Sequence, residues 1–340
     1  MYEEFYGLRE RPFGLTPNPR FLFLNPGHRE ALATLRYGLR GSLGITLLLG
    51  EAGTGKTTLL RAAVQAERRA EDRYAMLNNP TLTPYDFFQL LAAKFCLPAL
   101  AGSKACFLMA FEKELMCRRK AGGAAAILVD EAQSLTHELF EEIRLLANLE
   151  TTTAKLVNVV LVGQPELADR LNDPSLRQLK QRVVLRCSLS PLDLASTAAY
   201  IATRIEVAGA AAGELFTRDA VRTIYEASGG IPRTIGVVCE NALLAGYAAQ
   251  MKPVDRITVT EVCRDLDLPV DGAHAPRPTL RETSATVATR TAEAEPDPQP
   301  AAAPRSWFSF RRIESSPESR SEHERAGWPA VRDKRIFKFF

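Results

Sequence analysis

Gly50-Glu51-Ala52-Gly53-Thr54-Gly55-Lys56-Thr57 decides how this chain is read. The octapeptide fits the spacing GxxxxGK[ST]; it follows an apolar run, Ile45 to Leu49, and opens a segment of helical period, Thr57 to Ala66. A strand, a glycine-rich turn and a helix in that order present backbone N–H groups and the positive end of a helix to an anion. The glycines let those groups wrap a β-phosphate, Lys56 reaches the β- and γ-phosphates, and Thr57 offers its hydroxyl to Mg²⁺. The loop from Gly50 to Thr57, with Thr58 after it, is therefore the expected ATP-binding segment. A ligand-free glycine-rich turn is the competing account, and the flanking strand and helix weigh against it.

Working outward, short apolar runs recur at Tyr74 to Leu77, Ala124 to Val129, Val157 to Val162 and Val183 to Leu189. With Ile45 to Leu49 they predict five buried parallel strands. Segments of helical period separate them at Thr57 to Ala66, Pro84 to Phe95, Ala105 to Arg119 and Glu138 to Leu149, which gives repeated strand–helix units. After Leu189 the strand signals stop. Helical stretches follow at Ser196 to Ala208, Arg218 to Ser228, Thr234 to Ala249 and Val259 to Leu266, the last with Thr258 and Glu261 spaced as a capping box. The expected organisation is an α/β nucleotide-binding domain over 1–190, a small all-helical lid over 191–268, and a disordered tail over 269–340.

The run Ala124 to Val129 delivers Asp130 and Glu131 at its C-terminal end, beside the phosphate loop in this topology. Asp130 is the expected Mg²⁺ ligand with Thr57, and Glu131 the group that orients and polarises the attacking water. The run Val157 to Val162 ends in Gly163-Gln164. The amide of Gln164 either bonds the γ-phosphate or lytic water, or is a satisfied strand end.

Composition bounds the rest. The chain has 340 residues and is 46% hydrophobic, enough for a sizeable core. Its formal charge is +3; residues 271–340 hold 12 Lys+Arg and 10 Asp+Glu, which leaves 31 against 30 in the body. Strong non-specific nucleic-acid binding needs clustered Lys and Arg, so this balance disfavours it. The six cysteines show no CxxC pair or metal-ligand spacing, and read as small buried or surface thiols. No run approaches the roughly 18 apolar residues of a membrane span, and the first eleven residues are not signal-like, so a cytoplasmic location is expected. Eight of the 21 prolines lie between Pro276 and Pro329, in a Pro/Ala/Thr/Glu-rich linker. Beyond it, Trp307 to Arg312 and Lys334 to Phe340 interleave aromatic and basic residues, which suits either a solvated tail or docking on a partner or an anionic membrane surface.

Phosphate loop, Asp-Glu strand end, polar strand end and helical lid together resemble the AAA+ superfamily, whose strand order is 5-1-4-3-2. Further blocks resemble the secretion and pilus-biogenesis ATPases typified by general secretion pathway protein A. They are Met1 to Leu8, Pro12-Phe13, Thr16 to Leu22, His28 to Leu32, Asp130-Glu131-Ala132-Gln133, Asn148 to Thr151, Leu161 to Leu167, Leu176 to Arg182 and Gly229 to Arg233. The resemblance covers roughly residues 1–267. It implies that Arg233 is a sensor touching the γ-phosphate of its own subunit. It also implies that Arg182, or its neighbour Arg177, reaches into the site of an adjoining subunit, so that a homo-oligomer shares its ATP sites. The leader Phe13 to His28 corresponds to the segment beside the adenine, with Phe13, Phe21 and Phe23 read first as core. Longer relatives continue past the lid into a membrane span and a periplasmic part, whereas here the tail follows.

Two functions are carried forward. One is an assembly or motor ATPase of a bacterial secretion, pilus or exopolysaccharide export system, cytoplasmic or peripheral to the inner membrane, with an inner-membrane component as partner of the tail. The other is an ATP-dependent DNA-targeting switch of the transposition or replication-initiation type.

Overall fold

All five apolar runs form strands: β1 (Ile45–Gly50), β2 (Arg73–Leu77), β3 (Ala125–Val129), β4 (Asn158–Gly163) and β5 (Val183–Leu189). The computed structural model describes residues 1–14, 18–78, 81–97 and 103–269, which belong to one unit, Met1–Arg277. The expectations for the Pro-rich linker and the two basic-aromatic clusters, and for Thr16 and Pro17 of the leader, lie outside the described residues.

The strands pair in parallel in the order β2-β3-β4-β1-β5, which is 5-1-4-3-2 read from the other edge. Leu49 lies opposite Gly163, Gly50 opposite Leu189, and Val129 opposite Leu161. The C-terminal ends of the three central strands therefore finish within a few residues of one another, and whatever follows each of them shares one edge of the sheet.

The helices are α1 (Tyr2–Tyr6) in the leader, and α2 (Pro26–Arg40), α3 (Lys56–Glu67), α4 (Pro84–Lys94), α5 (Lys104–Lys120), α6 (His137–Leu146), α7 (Pro165–Leu171) and α8 (Arg177–Lys180) around the sheet. After it come α9 (Leu194–Val207), α10 (Arg218–Ser228), α11 (Pro232–Ala248) and α12 (Arg256–Asp265). Successive strand residues point to opposite faces. Ile127, Val159 and Leu161 pack with Phe87, Phe111, Phe140 and Ile143 on one side. Leu128, Val160 and Val162 pack with Leu35, Leu39, Leu59 and Leu60 on the other. Burial on both faces is why these strands read as unbroken apolar runs.

Three expectations need correction, and one helix is additional to them. β5 is not fully buried: it is the edge strand, its residues alternate, and Val184 is 55% exposed. α6 stops at Leu146, short of Leu149. α12 starts earlier than Val259, because Asp255 rather than Thr258 caps it, accepting the Thr258 N–H at 2.9 Å. α2 was not foreseen, although Asn25 caps it by accepting the His28 N–H at 2.8 Å and Pro26 supplies the preset φ of a first turn.

A third core gathers the lid helices, with Ile201, Ile205, Ile224, Leu243 and Val259, around Tyr2, Tyr6, Leu8, Phe13 and Phe21 of the leader. The leader precedes the sheet in the chain, yet it buries its aromatic residues among helices that follow the sheet. Polar contacts fix the docking: Tyr2 Oη donates to Glu240 at 2.7 Å, Tyr6 Oη to the Met251 carbonyl at 3.1 Å, and the Arg9 N–H to the Ala208 carbonyl at 2.7 Å.

Candidate active site

The loop between β1 and α3 sits at this edge of the sheet. Gly50 closes β1, Glu51 and Ala52 are exposed at the crest, Gly55 precedes α3, and Thr54 is buried with its hydroxyl donating to the Glu51 carbonyl at 2.8 Å. The Lys56 side chain folds back under the loop, where its ammonium donates to the carbonyls of Gly50 at 2.8 Å and Glu51 at 2.9 Å. Burial pushes its pKa down, against the pull of the nearby Glu131 and Asp130 carboxylates. A buried ammonium under the loop is the positive charge a phosphate needs at this place.

Thr57 and Asp130 meet: Thr57 Oγ1 donates to Asp130 Oδ2 at 2.6 Å. The other oxygen, Oδ1, accepts the Glu131 N–H at 3.1 Å. A hydroxyl and a carboxylate oxygen are hard donors of the kind Mg²⁺ takes when phosphates and water complete its shell, so these residues fit the ion. Glu131 leaves β3 in a left-handed conformation, φ 53°, uncommon for a residue with a side chain. Its Oε2 accepts from Gln133 Nε2 at 2.6 Å and from Gln164 Nε2 at 3.4 Å. The strand end therefore does place Gln164 beside the carboxylate, and Gln133 joins it there, a contact that no spacing in the sequence signals.

Arg233 begins α11 against the loop, its backbone N–H donating to the Gly53 carbonyl at 3.2 Å, its side chain exposed. Arg182 is elsewhere. It precedes β5 and its carbonyl accepts the Ile45 N–H, so it lies at the opposite edge of the sheet, roughly 16 Å along β1 from its own phosphate loop. Arg177, exposed at the start of α8, lies on the same approach to β5.

Beside the loop is a cleft of about 90 Å³. Thr54, Gly55, Thr58 and Leu59 form its floor; Phe21, Leu22, Phe23 and His28 come from the leader side; and Leu192, Tyr200, Arg204 and Pro232 come from the lid. Phe13 and Phe21 are buried core residues as expected, and Phe21 and Phe23 also face this cleft. His28 is buried, with Nδ1 at 2.6 Å from Asn25 Oδ1 and Nε2 at 3.4 Å from the Thr54 carbonyl. Both partners are acceptors, so a neutral ring donates through the shorter contact. Burial lowers its pKa, with the Thr54 carbonyl opposing. Sequence periodicity gave no sign that His28, Tyr200 and Arg204 share one cleft, because they are brought together only by the leader docking on the lid.

Five parallel strands in this order, with the phosphate loop and the Asp130-Glu131 strand end at one edge, define the class: a P-loop α/β fold of the nucleotide-binding kind. The AAA domain family matches residues 40–171. Over 250 residues, 73% of this chain, the sequence is 44% identical to general secretion pathway protein A of Aeromonas hydrophila, and it spans about half, 45%, of that relative's length. Among solved structures, Cdc6p of Pyrobaculum aerophilum aligns with a TM-score of 0.60 at 20% identity, over 75% of this chain and 70% of that one. The ORC2 protein of Aeropyrum pernix, in its ADPNP-ADP complexes, aligns with a TM-score of 0.58 at 17% identity, over 75% and 71%. Identities this low speak to the fold alone.

Proposed function

We propose that this chain binds ATP with Mg²⁺ and hydrolyses it as an assembly or motor ATPase of a bacterial secretion, pilus or exopolysaccharide export system. The observation that carries the chemistry is the line Lys56, Thr57–Asp130, Glu131–Gln164 along one edge of the sheet. The identity to general secretion pathway protein A supports the pathway.

In this reading the backbone from Gly50 to Thr57 cradles the phosphates and Lys56 leaves its two carbonyl partners for the β- and γ-oxygens. Thr57 and Asp130 would hold Mg²⁺, which when bound offsets the charge that develops between the β- and γ-phosphates. Glu131 orients the attacking water, and Gln164 lies where an amide reaches that water or the γ-phosphate. The base enters the cleft between leader and lid, over Thr58. Arg233, on the lid, contacts the γ-phosphate and reports nucleotide state to α11.

Arg182 is too far from its own site to serve it and is assigned to a neighbouring copy, with Arg177 as the alternative. Shared sites require a homo-oligomer. Among the described residues no helix is long and apolar enough to cross a membrane. We place the protein in the cytoplasm, peripheral to the inner membrane, with the tail as the link to a membrane component. The near-neutral body gives a DNA-targeting switch less support than the secretion reading.

The test is ATP turnover per subunit across a wide range of protein concentration. A trans arginine makes specific activity climb with concentration. Activity that is substantial and independent of concentration rules out the shared site, and activity that appears only on adding DNA moves the switch reading ahead.

A further inference from the structure

Gln133 lies two residues beyond Glu131, in the single 3₁₀ turn Ala132–Ser134, and both ends of its side-chain amide are used. Nε2 donates to Glu131 Oε2 at 2.6 Å, and Oε1 accepts the backbone N–H of Gln164 at 3.2 Å. These opposite partners fix which end of the amide is nitrogen, since only the nitrogen can face a carboxylate and only the oxygen can face an N–H. One side chain thus spans from the end of β3 to the end of β4.

The surroundings are shaped for it. Gly163, the last residue of β4, approaches so closely that a Cβ there would stand 2.8 Å from Gln133 Oε1 and 2.7 Å from Leu167 Cδ2. Arg170, from α7, donates to the backbone carbonyl of Gln133 and, at 2.7 Å, to that of Leu135, and its guanidinium lies 5.0 Å from the centre of the Phe140 ring. The turn carrying Gln133 is held from behind, and its amide from both ends. Glu131 itself sits at a positive φ of 53°, which directs its side chain but does not fix the rotation of the carboxylate. The amides of Gln133 and Gln164 both point at Oε2; among the described residues Oε1 has no hydrogen-bond donor.

We infer that Gln133 is a positioning residue for hydrolysis, holding Glu131 by Oε2 so that Oε1 is presented to the attacking water. The inference rests on the assignment of Glu131 as the water-orienting group. Both polar ends of the Gln133 side chain are taken by Glu131 and Gln164, so its effect falls on the chemical step and not on binding. A carboxylate free to rotate is misaligned by about an ångström, and misplacement on that scale costs on the order of 10²-fold in rate.

The test uses the full-length protein and four forms: wild type, Gln133→Met, Glu131→Gln and the double variant. Methionine keeps the length and removes both polar ends. The expected result for Gln133→Met is a kcat lower by about 10²-fold with KM and the affinity for a fluorescent ATP analogue unchanged. In the Glu131→Gln background the same substitution should cost less than about 3-fold, because there is no carboxylate left to hold. Gln133→Glu keeps an acceptor for Gln164 but loses the donor to Glu131, and should be at least as slow as Gln133→Met. A kcat for Gln133→Met equal to or above wild type overturns the inference, as does a full additional loss in the Glu131→Gln background. Failure of the underlying assignment looks different: Glu131→Gln itself would turn over normally.

Discussion

The backbone N–H of Arg233 donates to the carbonyl of Gly53 at 3.2 Å, so the first turn of α11 rests directly on the phosphate loop. Gly53 has φ +83°, and a Cβ added to it would lie 2.9 Å from Ile231 Cγ2 and 3.0 Å from Arg233 Cβ. Gly53→Ala therefore adds left-handed strain of about 1 kcal/mol and pushes the lid off the loop. The expected outcome is a fall in ATP affinity of roughly tenfold, with little change in melting temperature, measured by nucleotide titration and thermal unfolding. Unchanged affinity would mean that the lid contact is not part of the binding site.

Much of this was legible before the structure, for identifiable reasons. Ile45 to Leu49 and Val157 to Val162 are covered on both faces, so burial wrote them as continuous apolar runs and their strand ends were found within a residue. The loop, Asp130 and Glu131 were found because strand and helix flank them. β5 misled, since Val183, Leu185 and Cys187 alternate with exposed Val184, Arg186 and Ser188 and only half its pattern is core. The leader was beyond reach for a different reason. Arg204 bonds Pro12 across 192 residues, and no local pattern encodes a contact that distant. Gln133 follows Glu131 by two residues in the sequence, but its contact with Gln164 depends on where Gly163 lets β4 end.

Asp72 is a structural carboxylate, with its side chain fully buried. It accepts from the Arg69 and Ala124 N–H groups at 2.8 and 2.7 Å, from Tyr74 Oη at 3.1 Å, and from both Arg40 Nη atoms at 3.3 and 3.0 Å. Burial raises its pKa, but these donors outweigh it and the net shift is downward from the ordinary 3.8. A lowered folded-state pKa means stability that is present above the ordinary value and lost as pH falls through the lower, folded one. Asp72→Asn should cost about 2 kcal/mol in urea unfolding at neutral pH, since it turns an amide N–H₂ toward the donors around it and leaves Arg40 only Glu67, at 3.3 Å, as a charge partner. The variant should also lack part of the wild-type loss of stability below about pH 4. An unfolding midpoint matching wild type at pH 7 would show the contacts to be dispensable.

Asp130 bonds Thr57 through Oδ2 and the chain through Oδ1. If the two residues hold Mg²⁺, Asp130→Ala should leave ATP binding in EDTA nearly unchanged while removing the gain that Mg²⁺ gives wild type. Turnover should drop by a factor on the order of 10² or more. Titrating nucleotide with and without Mg²⁺ separates this from a folding defect, in which binding fails under both conditions. A Mg²⁺-dependent gain that survives in the variant would remove Asp130 from the metal shell.

Arg204 joins leader to lid at the cleft beside the phosphate loop. Its Nε donates to the Pro12 carbonyl at 2.6 Å and its Nη1 to Tyr200 Oη at 2.9 Å. The guanidinium also lies over Phe21 at 5.0 Å, Tyr200 at 5.3 Å and Phe13 at 5.9 Å. A cation over several rings with two hydrogen bonds holds the leader more firmly than its apolar contacts alone, by about 2 to 3 kcal/mol in local terms. Because Phe21, Leu22 and Phe23 wall the cleft, loosening the leader also opens the place assigned to the base. Arg204→Met should raise amide exchange in α1 and around Arg9 while exchange in β1, β3 and β4 stays slow. ATP affinity should fall by several-fold, and saturating nucleotide should restore part of the lost protection, since a ligand that touches both leader and lid stabilises their contact by mass action. If affinity falls while leader exchange stays at the wild-type level, Arg204 acts on the nucleotide directly and the leader is held by its aromatic residues alone.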